Sequence, residues 1–389
     1  HADRAPIIHV HDASRAVGVV SKLLSDKREA FWEETREKFE KIRVTRARNR
    51  NAKTRLPIEK AREKAFDLDK DGYTPVKPKQ MGVTAIEDVR LKDLEPYIDW
   101  TPFFMSWDMK GTYPKIFDDP NRGQAARELF EDGQKMLRQM VDEDWLHPKG
   151  VVGLWPAQRV GDDIEVFADE DRKAVAGKFH GLRQQSEKSG DRPYLTICDF
   201  VSETQPDYVG GFAVTAGTDE DDIIARFKAD KDDYSEIMFK ALADRFAEAF
   251  AEYLHERVRK EIWGYAPDES LTTEQLIGEN YAGIRPAAGY PAQPDHTEKD
   301  VLFELLQATQ HTGIALTESR AMNPPASVAG LYFAHPESAY FAVGRIAKDQ
   351  VEDYAVRKGW SLEEAERHLA PILGYDPDSQ KADVMDAAE

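Results

Sequence analysis

The sequence predicts an α+β domain whose central sheet is antiparallel, and three observations lead to this prediction. Residues 150–169 contain two strand-like runs around a Gly-Asp turn, which is typical of a β-hairpin. Other short runs rich in β-branched and aromatic residues are residues 193–201, 207–218, 327–335 and 339–346. The strongest helical patterns, residues 123–146 and 232–264, lie outside these runs. Strands joined by hairpins, with helices gathered beside them, favour an antiparallel sheet.

The chain divides into four parts by composition. Residues 1–25 hold a short apolar run and an amphipathic helical pattern, which we interpret as the closing βα unit of an open α/β domain. Residues 26–84 are charged and interrupted by prolines, and they predict a helix followed by an extended linker. Residues 85–376 carry the mixed pattern of a compact domain, and residues 377–389 form a tail. Because the chain starts without Met and without a signal peptide, we expect it to be part of a longer polypeptide.

The longest helix is predicted near the middle of the compact domain. Its apolar positions recur every four residues and share one face; they are Met238, Leu242, Phe246, Phe250 and Leu254. Gly264 is expected to end this helix, because glycine readily adopts the left-handed conformation of a C-terminal cap. Capping boxes predict two later helix starts, at Thr272 with Gln275 and at Ser361 with Glu364.

Composition limits the class of function. Cys198 is the only cysteine among the 389 residues, which excludes an internal disulfide and multi-cysteine metal sites. A reducing cytoplasm fits this cysteine usage, and no run of about 18 apolar residues predicts a membrane span. The net charge of −19 would repel phosphate backbones, so neither nucleic acid nor a membrane is an expected partner.

One basic stretch opposes the acidic balance. Residues 41–55 contain seven basic residues and no acidic one. Like charges should keep such a segment extended, and we predict a mobile interdomain linker. RNA or an acidic surface is the alternative partner for this stretch, although no aromatic residue is interleaved with the arginines to stack on bases.

Several signals of metal, nucleotide or nucleophile chemistry favour structural roles instead. The run DLDKDG at residues 67–72 begins like a calcium-binding loop, but Pro78 stands where that loop needs a bidentate glutamate. His9 and His11 alternate along the predicted first strand and so point to opposite faces. No G-x-G-x-x-G or P-loop motif occurs. Cys198 has apolar neighbours and is expected to be a buried core thiol rather than a nucleophile.

Glu248, Glu252 and Glu256 recur every four residues along the longest predicted helix. Residues four apart are neighbours on a helix surface, so these carboxylates share one face. We interpret that face as solvated.

A loop rich in proline and glycine, residues 281–296, is the strongest candidate for a binding element. Within YAGIRPAAGYPAQPDH, Arg285 carries a planar fork that suits a carboxylate. Asp99 lies in YIDWTPFF, an aromatic setting in which a carboxylate needs a cation or several donors. SAYFAV at residues 338–343 adds two aromatic residues. Together these features suit a ligand with an ammonium, a carboxylate, a sulfonium and a purine; alternatively, Asp99 and Arg285 pair with each other structurally.

Eight motifs together resemble the C-terminal activation domain of cobalamin-dependent methionine synthases. They are DASRAVGVVSKLLS, YIDWTPFF, GVVGLWPAQRVGDDIE, LRQQSEK, KALADRFAEAFAEYLHERVRK, WGYAPDE, GIRPAAGYPAQPDHTEK and DQVEDYAVRKG. The resemblance extends from about residue 12 to about residue 376, nearly the whole chain. The family commonly has RPAPGYPACP where this chain has RPAAGYPAQP, so Ala288 and Gln293 are departures from the family pattern.

The resemblance implies a helmet-shaped α+β domain that binds S-adenosylmethionine and serves repair. In the family, this domain supplies a methyl group and flavodoxin or a related flavoprotein supplies an electron, which restores methylcobalamin from inactive cob(II)alamin. The ligand-binding positions that carry over are Asp99, Arg285, Ala287, Tyr290, Tyr340 and Phe341. Cobalamin itself would be held by a neighbouring domain, because none of the ten histidines follows an aspartate by two residues, as the family's cobalt ligand does.

The implied activity is that of a methyltransferase module, not competent for full methionine synthesis alone. No catalytic residue is implied, because the sulfonium is already a leaving group and positioning is the main task. The implied partners are the cobalamin-binding domain of the same polypeptide and a flavoprotein, and we expect a monomer. Arg257, Arg259 and Lys260 at the end of the long helix predict a contact with an acidic flavoprotein or, equally, a complement to the helix dipole. The alternative function is a docking module for those partners without a ligand of its own.

Overall fold

The computed structural model describes residue 8 and residues 13–51 and 54–377. Its strands are β1 (Gly82–Ile86), β2 (Lys149–Val160), β3 (Asp163–Phe167), β4 (Val175–His180), β5 (Asp207–Thr215), β6 (Ala315–Leu316), β7 (Met322–Asn323) and β8 (Ser327–Tyr332). All but β6 and β7 form one sheet, in which neighbouring strands are antiparallel. The predicted α+β class with a central antiparallel sheet is therefore confirmed.

The described residues also form helices. They are α1 (Ala13–Leu23), α2 (Arg28–Asn51), α3 (Ile58–Arg62), α4 (Leu91–Leu94), α5 (Thr101–Ser106), α6 (Gly123–Asp142), α7 (Glu220–Asp230), α8 (Asp233–Arg257), α9 (Thr273–Ile277), α10 (Glu298–Leu306), α11 (Ala308–Thr312), α12 (Lys348–Lys358) and α13 (Leu362–His368). Of these, α8 and α10–α12 flank the sheet and contact its strands. Short 3₁₀ turns lie at Leu68–Asp71, Glu95–Tyr97, Lys115–Asp118, Ile197–Phe200 and Ala370–Ile372. Within the ranges described, no helix combines the length and apolar character needed to cross a membrane.

The long strand β2 organises the sheet. Its first half pairs with β1 and its second half with β3, both along the same edge, and the predicted hairpin of β2 and β3 is confirmed. The other edge of β2 pairs with β5 along nine residues, and β8 follows beyond β5. Alternate residues of β2 therefore face opposite sides, so that Val152 and Leu154 pack under α8, whereas Val151 and Trp155 belong to the core beside α10.

The prediction for the longest helix is confirmed. The five apolar residues predicted to share one face of α8 are buried together in the core on that side of the sheet. A π-helical turn, Val258–Ile262, continues the helix, and Gly264 follows with φ +81°. Thr272 and Gln275 form the predicted capping box of α9, and the Ser361 hydroxyl accepts a hydrogen bond from the backbone N–H of Glu364 at the start of α13.

Two predicted strands are wrong. In residues 193–201 the Asp199 carboxylate accepts a hydrogen bond from the Thr196 N–H at 2.9 Å at the start of the 3₁₀ turn Ile197–Phe200, so these residues close a turn instead of joining the sheet. Residues 339–345 are irregular because they follow the proline-rich loop: the backbone N–H of Val343 donates to the carbonyl of Pro291 at 2.8 Å.

The N-terminal prediction is tested only in part. Most of the predicted first strand, including His9 and His11, lies outside the described residues, whereas the amphipathic helix after it is α1. The expectation of an extended chain is wrong for residues 41–51, which continue α2. Ion pairs one turn apart, such as Glu40 with Arg43 at 3.1 Å, stabilise a helix in this highly charged sequence.

Residues 54–81 lie against the compact domain. Leu56 N–H donates to the Gln185 carbonyl at 2.9 Å, and α3 buries Ile58 and Ala61. The side chain of Arg62 reaches Asp162 at 2.9 Å and Asp353 at 2.8 Å. The division into domains at residues 25, 84 and 376 stays a proposal, and these contacts show which neighbours residues 54–62 have.

Candidate functional site

The proline-rich loop is held against the free edge of β8. Ile284 and Phe333 exchange two backbone hydrogen bonds of 3.0 Å, and Leu331 N–H donates to the Pro286 carbonyl at 2.9 Å. Residues 284–286 thus run beside the last strand of the sheet as an irregular extra edge. This pairing fixes the backbone of Arg285 between two anchored residues.

A tight turn follows at Gly289. Its N–H donates to the Gln293 carbonyl at 2.7 Å, and Gln293 N–H donates to the Tyr290 carbonyl at 3.0 Å. Gly289 has φ +95°, and a Cβ there would lie 2.2 Å from His296 Cε1. A side chain is therefore excluded at this position both by backbone conformation and by space.

Two adjoining cavities open beside this loop. The first, of about 510 Å³, has a mainly apolar lining that includes Ala287, Tyr290, Tyr340 and Phe341. The second, of about 350 Å³, is lined by acidic and basic side chains together with Tyr97, Pro102 and Ile277. Glu248, Glu279 and Arg285 border both cavities. We refer to the two cavities together as the groove.

Arg285 lies at the junction of the two cavities. Its Nη2 is 2.8 Å from Glu252 Oε2, and its Nη1 donates to the Tyr281 hydroxyl at 2.6 Å and contacts His255 Nδ1 at 3.3 Å. Burial alone would lower the pKa of Arg285, but the Glu252 carboxylate and the surrounding tyrosines outweigh it and raise that pKa. The guanidinium is therefore a permanent cation, with 17% of the side chain exposed.

The acidic residues of α8 are placed differently from the prediction of a solvated face. Glu252 is only 6% exposed and is the ion-pair partner of Arg285, so the structural pair between Asp99 and Arg285 is not formed. Glu248 borders the groove one turn earlier, and burial raises its pKa. Glu256 accepts a hydrogen bond from the Tyr97 hydroxyl at 2.6 Å. The face is partly buried because α4, α5 and the turn Glu95–Tyr97 pack against α8.

The basic residues at the end of α8 are also placed differently from the prediction of a flavoprotein contact. Arg259 is fully buried and forms a two-pronged ion pair with Glu269, because the π-helical turn directs it inward. Arg257 pairs with Asp88 at 3.3 Å and Lys260 with Glu256 at 3.1 Å. Arg259 cannot meet a partner protein, and the other two charges are already paired within the domain.

The six residues carried over as ligand positions all border the groove. Asp99 lies in the second cavity, where its Oδ1 accepts a hydrogen bond from the Thr101 N–H at 2.9 Å. The Tyr340 hydroxyl accepts from the Arg285 N–H at 3.0 Å, which ties the aromatic segment to the loop. Tyr290 is 63% exposed on the rim. The chain thus brings together residues that are distant in sequence, although their roles as ligand contacts stay a prediction.

The residues that surround Arg285 were not predicted to be its partners. Glu248 and Glu252 were predicted to be solvated, Tyr281 belonged to the candidate loop without a role of its own, and Glu279 and His255 carried no signal in the sequence. One signal could have found Glu252: a cation in a rigid, partly apolar loop requires an anionic partner, and α8 offers carboxylates at regular spacing. No motif in the sequence around Glu279 predicts a site residue. Glu279 borders the groove with a backbone φ of +55°, a conformation that the sequence does not indicate.

Cys198 is buried, and burial raises the pKa of its thiol well above the usual range. Asp69 belongs to residues 67–72, which begin like a calcium-binding loop. Its carboxylate accepts hydrogen bonds from the hydroxyls of Ser202 at 2.7 Å and Thr204 at 2.8 Å. In the described part of the chain, no cluster of three or more potential metal ligands is present. The groove is therefore the strongest candidate site.

The fold and the groove together define an α+β domain with an open binding site that is aromatic at one end and charged at the other. The family model for the activation domain of vitamin B12-dependent methionine synthase matches residues 90–359. A crystal structure of the MetH reactivation domain bound to AdoHcy is similar, with a TM-score of 0.80 and 54% sequence identity. The match covers 83% of this chain and 99% of that one. The chain belongs to the family of vitamin B12-dependent methionine synthase activation domains.

Proposed function

We propose that the groove binds S-adenosylmethionine and presents its methyl group for transfer to cobalamin held by a neighbouring domain. The observation that carries this proposal is the position of Arg285 at the junction of an aromatic and a charged cavity. S-adenosylmethionine is aromatic at its adenine end and charged at its amino-acid end, so its two halves match the two cavities. The related MetH reactivation domain was crystallised with AdoHcy, which is the same molecule without the transferable methyl group.

Arg285 is the proposed partner of the ligand carboxylate. A guanidinium has five N–H donors. In Arg285, Nη1 contacts Tyr281 and His255, and Nη2 contacts Glu252. In the described part of the chain no protein group accepts from Nε. The edge formed by Nε and Nη2 has the spacing of a carboxylate and can bind it through two charge-assisted hydrogen bonds.

Carboxylates opposite Arg285 are the proposed partners of the ligand's positive charges. Asp99, Glu248 and Glu279 border the same charged cavity. The one hydrogen bond to the Asp99 side chain within the described residues is accepted by Oδ1, which leaves Oδ2 for an ammonium. The ammonium and the sulfonium both favour this acidic wall through charge attraction.

The apolar cavity is the proposed adenine site. Ala287, Tyr340 and Phe341 border it, and Phe341 also packs against the core residue Phe200 with ring centroids 6.3 Å apart. A flat purine can bury its faces against such aromatic and small side chains. Tyr290, on the exposed rim, would lie over the sulfur atom that joins the adenosine and amino-acid portions of the ligand.

The chemistry asks little of the protein beyond placement. S-adenosylmethionine supplies a methyl group that is already activated by the sulfonium. The side chains therefore bind and orient the ligand, and none of them has to move a proton during transfer. This fits a domain for which no catalytic residue was predicted.

Calorimetry with AdoHcy and S-adenosylmethionine tests the proposal. We expect both ligands to bind the 389-residue chain, and Asp99→Asn to weaken both by roughly tenfold, because one charged contact is lost. Lys178→Ala is a matched control, since it removes a charge that pairs with Glu165 at 2.9 Å in the sheet hairpin. No binding of either ligand at millimolar concentration would favour the alternative of a docking module without a ligand.

We also propose a flavodoxin-like flavoprotein as the electron donor for reactivation, and a monomeric state for this domain. Both follow from the family's repair role, and the net charge of −19 opposes self-association. Sedimentation analysis of the chain alone should give one species near 44.1 kDa. A stable dimer would contradict the monomer.

A further inference from the structure

Arg285 is held by three side chains, Glu252, His255 and Tyr281, which we call the Arg285 cradle; of these, Glu252 also lines the charged cavity of the groove. Glu252 and His255 lie one turn apart on α8, and Tyr281 opens the proline-rich loop. His255 is fully buried and the Tyr281 ring packs edge-on to it, with centroids 4.9 Å apart. The cradle therefore joins the core helix α8 to the guanidinium of a groove-facing side chain.

The nearest cation to the Glu252 carboxylate is Arg285, at 2.8 Å. The other cation near it, Arg259, is 4.0 Å away and already has its own carboxylate, Glu269, in a two-pronged contact with distances of 2.7–3.0 Å. Glu252 Oε1 has no hydrogen-bond partner among the described residues. The 2.8 Å contact with Arg285 is thus the main ionic contact that Glu252 makes.

The neutral state of His255 supports the same orientation. Burial, with Arg259 and Arg285 nearby, lowers the pKa of His255 well below its usual range, so the ring is uncharged. Its Nδ1 must then accept from the Arg285 Nη1, because an arginine only donates. Both hydrogens of Nη1 are then used within the protein, by Tyr281 and His255.

We propose that Glu252 is a positioning residue that makes the groove selective for ligands with a carboxylate. It holds the Arg285 guanidinium from one side, so that the Nε and Nη2 edge faces the groove before the ligand arrives. This inference rests on the proposed binding of S-adenosylmethionine and adds a residue that acts through Arg285. A cation held in advance loses less conformational entropy on binding, and this gain applies only to a ligand that uses the cation.

The substitution Glu252→Gln tests this role while keeping nearly the same volume. The amide lacks the charge that holds Arg285, and its NH₂ group would face the guanidinium donors of Arg259 or Arg285. Arg285 should then lose its fixed orientation. We expect AdoHcy to bind roughly tenfold more weakly, whereas 5′-methylthioadenosine, which has the adenosine and thioether without the amino acid, should change by less than about twofold.

Glu269→Gln is the matched control. It also breaks a buried ion pair, Arg259 with Glu269, in the same region, and so lowers stability by a comparable mechanism. Affinities of the wild type and both variants are measured by calorimetry below the onset of thermal unfolding. AdoHcy affinity should fall for Glu252→Gln and stay within about threefold of the wild type for Glu269→Gln.

The outcomes separate this inference from the proposed function. If the wild-type chain binds neither AdoHcy nor S-adenosylmethionine, the proposed function fails. If the wild type binds but Glu252→Gln loses no more AdoHcy affinity than Glu269→Gln, or loses affinity equally for both ligands, only the positioning role is overturned. Tighter AdoHcy binding by Glu252→Gln would also overturn it, since Glu252 would then be a competitor of the ligand carboxylate.

Discussion

Arg285 couples ligand binding to the stability of the domain, because its guanidinium faces the groove and also neutralises a buried carboxylate. We expect Arg285→Ala to weaken AdoHcy binding by roughly 30- to 1000-fold, as the loss of a charge-assisted, two-pronged contact does. The same change leaves Glu252 buried without its partner, and should lower the free energy of unfolding by about 3–5 kcal/mol. Calorimetry and urea denaturation measure the two effects separately.

Arg285→Lys should recover most of the stability and little of the affinity, because an ammonium keeps the charge but not the fork. Arg320→Ala is the control, since this arginine pairs with Asp300 at 3.0 Å on the surface, and it should leave both quantities nearly unchanged. Normal AdoHcy binding by Arg285→Ala together with a large loss of stability would mean that Arg285 is structural only.

A second residue-scale prediction concerns pH. Glu220 at the start of α7 is 5% exposed, and burial, with a smaller contribution from Asp221 and Asp244, raises its pKa to about 7. This value lies above that of the unfolded chain, about 4.3. The stability that Glu220 contributes is therefore fully present below about pH 4 and is lost as the pH rises through about 7.

Glu220→Gln removes this titration. Between pH 5 and pH 8 the wild type should lose on the order of 2 kcal/mol more unfolding free energy than the variant. Asp222→Asn changes an exposed neighbour in the same helical turn and should keep the wild-type slope. Parallel pH profiles for the wild type and Glu220→Gln would show that this carboxyl group is not held in its neutral form.

At the scale of elements, the loop depends on the turn at Gly289. Gly289→Ala places a methyl group where His296 now lies and forces a non-glycine residue to φ +95°. We expect the turn to shift, so that AdoHcy affinity falls at least tenfold and the free energy of unfolding decreases by about 1–3 kcal/mol. Binding and unfolding measurements on one preparation check both.

Gly161→Ala provides the control for backbone strain alone. Gly161 has φ +64° in the hairpin of β2 and β3, and nothing lies within 4 Å of an added Cβ. It should cost about 1 kcal/mol of stability and no affinity. Equal affinities for Gly289→Ala and the wild type would imply that the loop conformation does not set the shape of the groove.

Elements with a strong local pattern were predictable from the sequence, and those held by distant partners were not. The α8 prediction succeeded because its apolar residues keep a helical period, and the hairpin of β2 and β3 because its turn is explicit. Residues 193–201 have strand-like composition, but Asp199 at the capping position of the 3₁₀ turn is bound by Arg183, which local patterns do not reveal. Glu252 was misjudged for the same reason, since its partner lies 33 positions along the chain.

At the scale of the whole molecule, a partly buried network of ion pairs connects residues 54–62 with three residues of the compact domain. Arg62 contacts Asp162 and Asp353, and Asp162 in turn contacts the fully buried Arg183 at 2.5 Å. Removing one member leaves the others buried and uncompensated, which is costly. We therefore propose that residues 54–81 contribute to the stability of the compact domain, whereas composition predicted a linker.

The packing of the described residues also predicts where a protease can cut the chain. None of the described residues that form the three hydrophobic cores comes from α1 or α2, and the side chains of Lys41 and Arg43 are exposed. Trypsin should cleave first within residues 41–55, because Lys41 and Arg43 are exposed there, whereas a basic residue of the compact domain such as Arg259 is fully buried.

A chain of residues 54–389 should keep the melting temperature and AdoHcy affinity of the full chain. A chain of residues 82–389, which lacks Arg62 and the buried Ile58, should melt at least several degrees earlier. Equal melting temperatures for the two shorter chains would assign residues 54–81 to a linker after all.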